Sequence, residues 1–171
     1  PAGHRAADYI AQQFALYGLQ PVGDEGGYFQ TFPFTALQLG SVPTLRITDG
    51  NGTLHNSYKL YQDFKPVVGA YAGAGIGEGY VVWMVDCTPQ NFHGVNAVGK
   101  IVFCRNGDVN RITRLAVENG ATGLLLLTDP SQQLPAYREA SLPVWIPEPI
   151  PVFHVYPDVA NDLLAGSGYS I

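Results

Sequence analysis

The stretch Gly99–Thr128, GKIVFCRNGDVNRITRLAVENGATGLLLLT, constrains the fold more than any other part of the chain. Two short apolar runs, Ile101–Cys104 and Gly123–Leu127, flank a segment with helical spacing. Asp108 is placed to cap that helix, Ile112, Leu115 and Ala116 fall on one face, and Gly120 supplies the stop. Strand, helix and strand at this length form a crossover unit, which predicts two parallel neighbouring strands buried on at least one face. The unit carries no catalytic pattern and reads as a scaffold.

A second helix is predicted over residues 3–19. Ala6, Ala7, Ile10, Ala11 and Phe14 form its apolar face, Arg5, Asp8, Gln12 and Gln13 its polar one, and Gly18 ends it. After the GDEGG turn, YFQTFPF alternates like a strand as far as Pro33. TLRIT (44–48) and TLHNSYKL (53–60) flank Asp49-Gly50-Asn51-Gly52, a hairpin signal. YVVWMVD (80–86) reads as a strand, CTPQNFHGVNAV as a loop, and PVFHV (151–155) as a last buried strand. Pro157 and Asp158 open a short helix with Val159, Leu163 and Leu164 inward, ended by Gly166. Between them, residues 129–149 form an excursion too broken by Pro for regular structure.

Composition narrows the class. Apolar residues make up 46% of 171 and charged ones only 13%, which argues against disorder and against a solvated charge-rich helix bundle. A net charge of −5 without a basic cluster argues against nucleic acid as a partner. No apolar run reaches membrane-spanning length. Starting at Pro1 without an initiator Met, the chain reads as a mature or trimmed product. Cys87 and Cys104 lie at predicted strand ends with 16 residues between them. A disulfide between them would be worth about 3 kcal/mol, but two buried reduced thiols fit the sequence as well.

The motifs that invite chemistry mostly fail on context. Gly94–Lys100 matches the opening of a phosphate-binding loop, yet Ile101 stands where Ser or Thr is needed and a strand follows instead of a helix. Gly73–Gly79 has the wrong spacing for a dinucleotide fingerprint and reads as a tight loop. His4, His55, His93 and His154 are scattered, with no spacing that puts two ligands on one metal, and His154 reads as a hydrogen-bonded core residue. No nucleophile elbow occurs, and Asp24, Glu25, Asp86, Asp108, Asp129, Glu139 and Glu148 sit in turns where capping is the default. Asn51-Gly52-Thr53 is a glycosylation sequon within a turn whose plain structural role suffices. The excursion carries Tyr137, Arg138 and Trp145 among prolines, either as an interaction loop or with Trp145 folded back over the core.

In order, GKIVFCRNGD, RLAVENGATGLLLLTDP, a Pro-rich loop and IPVFHVYPDVANDLLAGSG resemble a protease-associated (PA) domain. Arg105-Asn106-Gly107 matches that family's R-x-G turn and Ala116–Ala121 its helix end. GHRAADYIAQQFALYGLQPVGDEGGYFQTFPF is similar to the lead-in of secreted di-zinc aminopeptidases that carry such a domain. The resemblance implies a lead-in at residues 1–36 and a PA domain at residues 37–171. It implies a mixed α+β fold, the β-rich swivelling β/β/α arrangement with flanking short helices plus the N-terminal amphipathic helix. It also implies a secreted or cell-envelope location and a non-catalytic accessory role. In that role the domain covers the active site of a zinc exopeptidase and limits or positions peptide substrates. The catalytic domain of the same parent chain would be its partner, and the zinc would sit there, with no cofactor, metal ligand or catalytic residue in this chain. Contact is expected at Arg105, Asn106 and Asp108 and at Tyr137, Arg138 and Trp145. A free-standing peptide- or glycan-binding module and a self-contained hydrolase with a non-local site are the alternatives.

Overall fold

A computed structural model describes residues 2–33, 36–37, 41–67, 72–73, 75–105, 107–129, 131, 140–141, 150–169 and 171. It divides into two compact units, Pro1–Thr35 and Ala36–Ile171. The first holds helix α1 (Ala2–Leu16) and a single 3-10 turn at Asp24–Gly26. Gly18 takes φ +70, the left-handed geometry that ends a helix cheaply only at glycine. Behind it Tyr28 Oη donates to the Leu19 carbonyl at 2.6 Å, and its ring lies 6.0 Å from that of Phe14. The strand expected in YFQTFPF as far as Pro33 is not found: residues 28–33 are irregular and pair with no strand among the described residues. Alternation marks a strand only where a neighbour supplies the ladder.

The second unit is mixed α and β. Its strands are β1 (Ala36–Leu37), β2 (Leu45–Thr48), β3 (Leu54–Tyr58), β4 (Phe64–Pro66), β5 (Val81–Trp83), β6 (Ile101–Arg105), β7 (Gly123–Leu127), β8 (Ala140–Ser141) and β9 (Val152–Val155). Its helices are α2 (Pro89–Gly94), α3 (Val109–Glu118) and α4 (Pro157–Leu164). Five strands form one sheet in the order β4-β9-β7-β6-β5, with β5, β6, β7 and β9 parallel and β4 antiparallel at one edge. The crossover β6–α3–β7 sits at its centre, with Ile101 opposite Gly123 and Arg105 opposite Leu127.

Alternation along these strands builds two cores. Val102, Cys104, Leu124, Leu126 and Val152 face α2 and α3, meeting Phe92, Ile112 and Ala116. Phe103, Leu125 and Val155 point the other way, onto Phe64 and onto Val159, Ala160 and Leu164 of α4. A central strand buried on both faces has no polar side to show, which is why β7 reads as an unbroken apolar run. The β2–β3 hairpin packs half-buried Leu45 and Tyr58 against this second core. Its turn is fixed by Asp49 Oδ1, which accepts the Asn51 and Thr53 amides at 2.9 and 2.8 Å.

Gly77 and Gly79 are required by close approach of neighbouring backbone. A Cβ on Gly77 would lie 2.6 Å from the Thr122 carbonyl, and one on Gly79 would collide with the Gly99 carbonyl. Two expectations are corrected downstream. YVVWMVD is a strand only over Val81–Trp83, because Val85 turns to φ +48. CTPQNFHGVNAV contains α2, started by a reciprocal cap in which Thr88 Oγ1 accepts the Asn91 amide and Asn91 Oδ1 accepts the Thr88 amide. Part of the excursion is regular, since β8 pairs antiparallel with β1. Tyr137, Arg138, Trp145 and Asn106 lie outside the described residues.

Candidate functional site

The parallel strands β5 and β6 end side by side, and the chain leaving each turns away to opposite sides of a shallow opening. In open sheets this carboxyl end is where ligands meet the chain, because connecting loops diverge there and leave a crevice. A cavity of about 170 Å³ occupies the opening. One wall is Asp86, Cys87 and Thr88, which follow β5; the other is Arg105, Gly107 and Asp108, which follow β6, with Arg111 and Ile112 from the first turns of α3.

Each wall has a local cause. Asp108 caps α3: its Oδ1 accepts the Arg111 amide at 3.2 Å, and its own carbonyl accepts the Ile112 amide at 2.9 Å. The cap directs the positive end of α3 at the opening and places Arg111 beside it. On the facing wall Met84 N–H donates to Phe103 O at 2.9 Å and Arg105 N–H to Val85 O at 2.8 Å, so the ladder continues past the end of β5. Below, Cys87 and Cys104 are joined in a disulfide with their Cα atoms 5.9 Å apart. Cys104 is fully buried and Cys87 nearly so.

The charges on the rim are mixed. Arg105 Nη1 lies 4.0 Å from Asp86 Oδ1 with both side chains more than half exposed, an arrangement worth well under about 1 kcal/mol. The Arg105 guanidinium therefore remains available to a ligand, and Arg111, Ile112 and Cys87 line the same cavity. Thr88 Oγ1 donates to Asn91 Oδ1 at 2.6 Å and is committed to its cap. The cavity can hold and orient a group of side-chain size, and none of its lining side chains forms a nucleophile–base pair.

The structure thus brings Arg105 and Asp108 together at one opening and adds four residues that the sequence reading passed over as contacts: Asp86, Thr88, Arg111 and Ile112. A readable signal existed for Arg111, which is three positions after a capping Asp and so must sit over the strand end that precedes it.

Among the described residues, no group of three or more His, Cys, Asp or Glu is arranged to hold a metal ion. His4 lies on α1, His55 on β3 with Nε2 3.8 Å from Asp49 Oδ2, and His93 on α2. His154 is buried on β9, with Nδ1 2.8 Å from Thr128 Oγ1. Burial, with some help from Lys65, pushes its pKa down to about 4. No helix among the described residues is long and apolar enough to cross a membrane.

No protein-family model matches the chain, and no curated protein matches it significantly. Among solved structures, the chain is similar in fold to the aminopeptidase from Aneurinibacillus sp. strain AM-1, at 18% identity and a TM-score of 0.58. The likeness covers 97% of this chain and 36% of the aminopeptidase. The chain therefore spans about a third of the solved structure it resembles.

Proposed function

We propose that the chain is a non-catalytic accessory unit of a peptidase, of the protease-associated type, whose Arg105–Arg111 cavity touches peptide substrates near a separate catalytic body. The observation that carries this reading is a fold shared with about a third of an aminopeptidase, in a chain whose side chains assemble a pocket without a reactive pair. A cavity lined by Ile112, Cys87 and two arginines suits a peptide, whose side chain fills the cavity while its carbonyls or carboxylates meet the arginines. The unit would act by restricting and orienting chain ends, and a zinc ion in the catalytic body would supply the activated water. The Cys87–Cys104 bridge fits an oxidising compartment, consistent with secretion or the cell envelope. Arg105, Asp108 and Arg111 would make the contact.

The test has two arms on the purified chain. After equilibration with excess zinc and removal of free metal, near-zero zinc and no cleavage of aminoacyl anilides are expected. One or two tightly held zinc ions with turnover would overturn the accessory role in favour of a self-contained hydrolase. Short peptides titrated into the chain should move the NMR signals of Arg105, Asp108 and Arg111. Arg105→Ala combined with Arg111→Ala should weaken that binding about tenfold or more, in line with loss of two charge-assisted contacts. Binding unchanged by both substitutions would remove the cavity from the proposal.

A further inference from the structure

Between the end of β5 and Cys87 the chain makes a turn that its sequence does not favour. Val85 sits at φ +48, in the left-handed region, where a β-branched residue crowds its own backbone. Such a residue stays there only when its surroundings hold it. Here two things hold it. Arg105 N–H donates to its carbonyl at 2.8 Å, and two residues later Cys87 is bonded to Cys104, which is fully buried in β6. The same bond joins the two walls of the cavity, since Cys87 belongs to one wall and Cys104 immediately precedes Arg105 of the other. Exposure is uneven: Cys104 has none, whereas Cys87 retains 6% and lines the cavity.

We propose that the Cys87–Cys104 disulfide is a redox latch that keeps this cavity in shape, and that a dithiol reductant releases it. The attack comes from the cavity. A reductant thiolate adds to Cys87 Sγ, the bond to Cys104 breaks, and Cys104 leaves as a thiolate that takes up a proton. The reductant's second thiolate then attacks its own sulfur in the mixed disulfide, and Cys87 leaves and is protonated. Two electrons and two protons have passed to the protein, and the reductant becomes a cyclic disulfide. With the bond gone, Val85 relaxes to a right-handed or extended conformation, the Arg105–Val85 hydrogen bond is lost, and Asp86–Thr88 moves away from α3. The sheet itself keeps its packing, because β6, β7 and β9 are held by their ladders and by both cores. The consequence for peptide binding rests on the function proposed above; the latch does not.

The experiment is NMR-detected amide exchange on the full 171-residue chain, oxidised and then reduced with dithiothreitol, with free thiols counted by alkylation and mass. On reduction the Met84, Thr88 and Arg105 amides should fall to within about tenfold of free-chain exchange, while Leu124–Leu126 stay at least about a thousandfold protected. Retained protection at those three amides in a chain with two free thiols would overturn the latch. So would loss of protection everywhere, which would make the bond a global staple. Val85→Gly removes the strain, and its reduced form should hold the Arg105 amide at least about tenfold better than the reduced wild type; equal collapse in the two chains would also overturn the latch. A labelled peptide measured in parallel separates the two proposals. Opening that leaves peptide binding intact sinks the cavity as the peptide site while the latch stands.

Discussion

Acid should destabilise this protein through His154 before its carboxylates protonate. The imidazole is buried on β9, 8% exposed, with Nδ1 on Thr128 Oγ1 and with Lys65 opposite it on β4. Burial is the main cost of charging this ring, and the Lys65 ammonium, 5.9 Å from the centre of the neighbouring Tyr156 ring, adds its repulsion. An unfolded histidine takes a proton near pH 6.5, whereas the folded one resists until about pH 4. Its folded pKa is lowered, so the stability it permits is complete above 6.5 and is lost as the pH falls from 6.5 towards 4. At about 1.4 kcal/mol per pH unit the ceiling across that window is about 3.4 kcal/mol. Screening by solvent at the neighbouring edge strand trims this to about 2 kcal/mol, of which about 1.5 is lost by pH 5. The assay is urea unfolding at about pH 7.5 and about pH 5, for the wild type and for His154→Gln, which cannot titrate. The wild-type midpoint should drop by about 1 M more than the variant's. An equal drop in both chains would refute the reasoning, since the acid sensitivity would then belong to other groups.

Two further outcomes follow from the second core. Phe103 is fully buried with its ring centroid 4.5 Å from that of Trp83, so Phe103→Ala should cost about 3–5 kcal/mol in chemical denaturation. Asp162 of α4 accepts hydrogen bonds from Asn56 Nδ2 and Tyr58 Oη of the hairpin, both at 2.7 Å. Asp162→Ala should cost about 1–2 kcal/mol and lower the Tyr58 pKa from about 12 without returning it to 10, because burial is the larger cause of the rise. Tyrosinate absorbance, taken as a difference against Tyr58→Phe, reads that shift.

What the sequence made legible was whatever depends on short-range pattern. The β6–α3–β7 crossover, its Asp108 cap and its Gly120 stop stand where the spacing put them, as does the β2–β3 hairpin about its Asp-Gly-Asn-Gly turn. The mixed α+β class, which the family resemblance implied, is the one the chain adopts. The misreadings came where a distant partner decides the outcome. Tyr28–Pro33 alternates but has no strand to pair with among the described residues, and β5 stops early where Val85 turns to φ +48 with its carbonyl held by the Arg105 amide. Helix α2 was the avoidable miss, since Thr88-Pro89 followed by Asn91 spells a capped start. The cavity was half visible. Arg105 and Asp108 belong to a recognisable turn, whereas Asp86 and Thr88 reach it only because β5 and β6 are neighbours in the sheet.

The common direction of β5, β6, β7 and β9 places Trp83, Arg105, Leu127 and Val155 at the same end of the sheet. All four chain exits therefore open on one rim, while the side chains that hold the sheet together lie between its faces. Lengthening of the loops beyond these strand ends, or substitution of exposed rim residues such as Asp86 and Arg105, leaves both cores untouched. A lineage could change what this surface recognises many times over while the scaffold beneath it drifts only slowly.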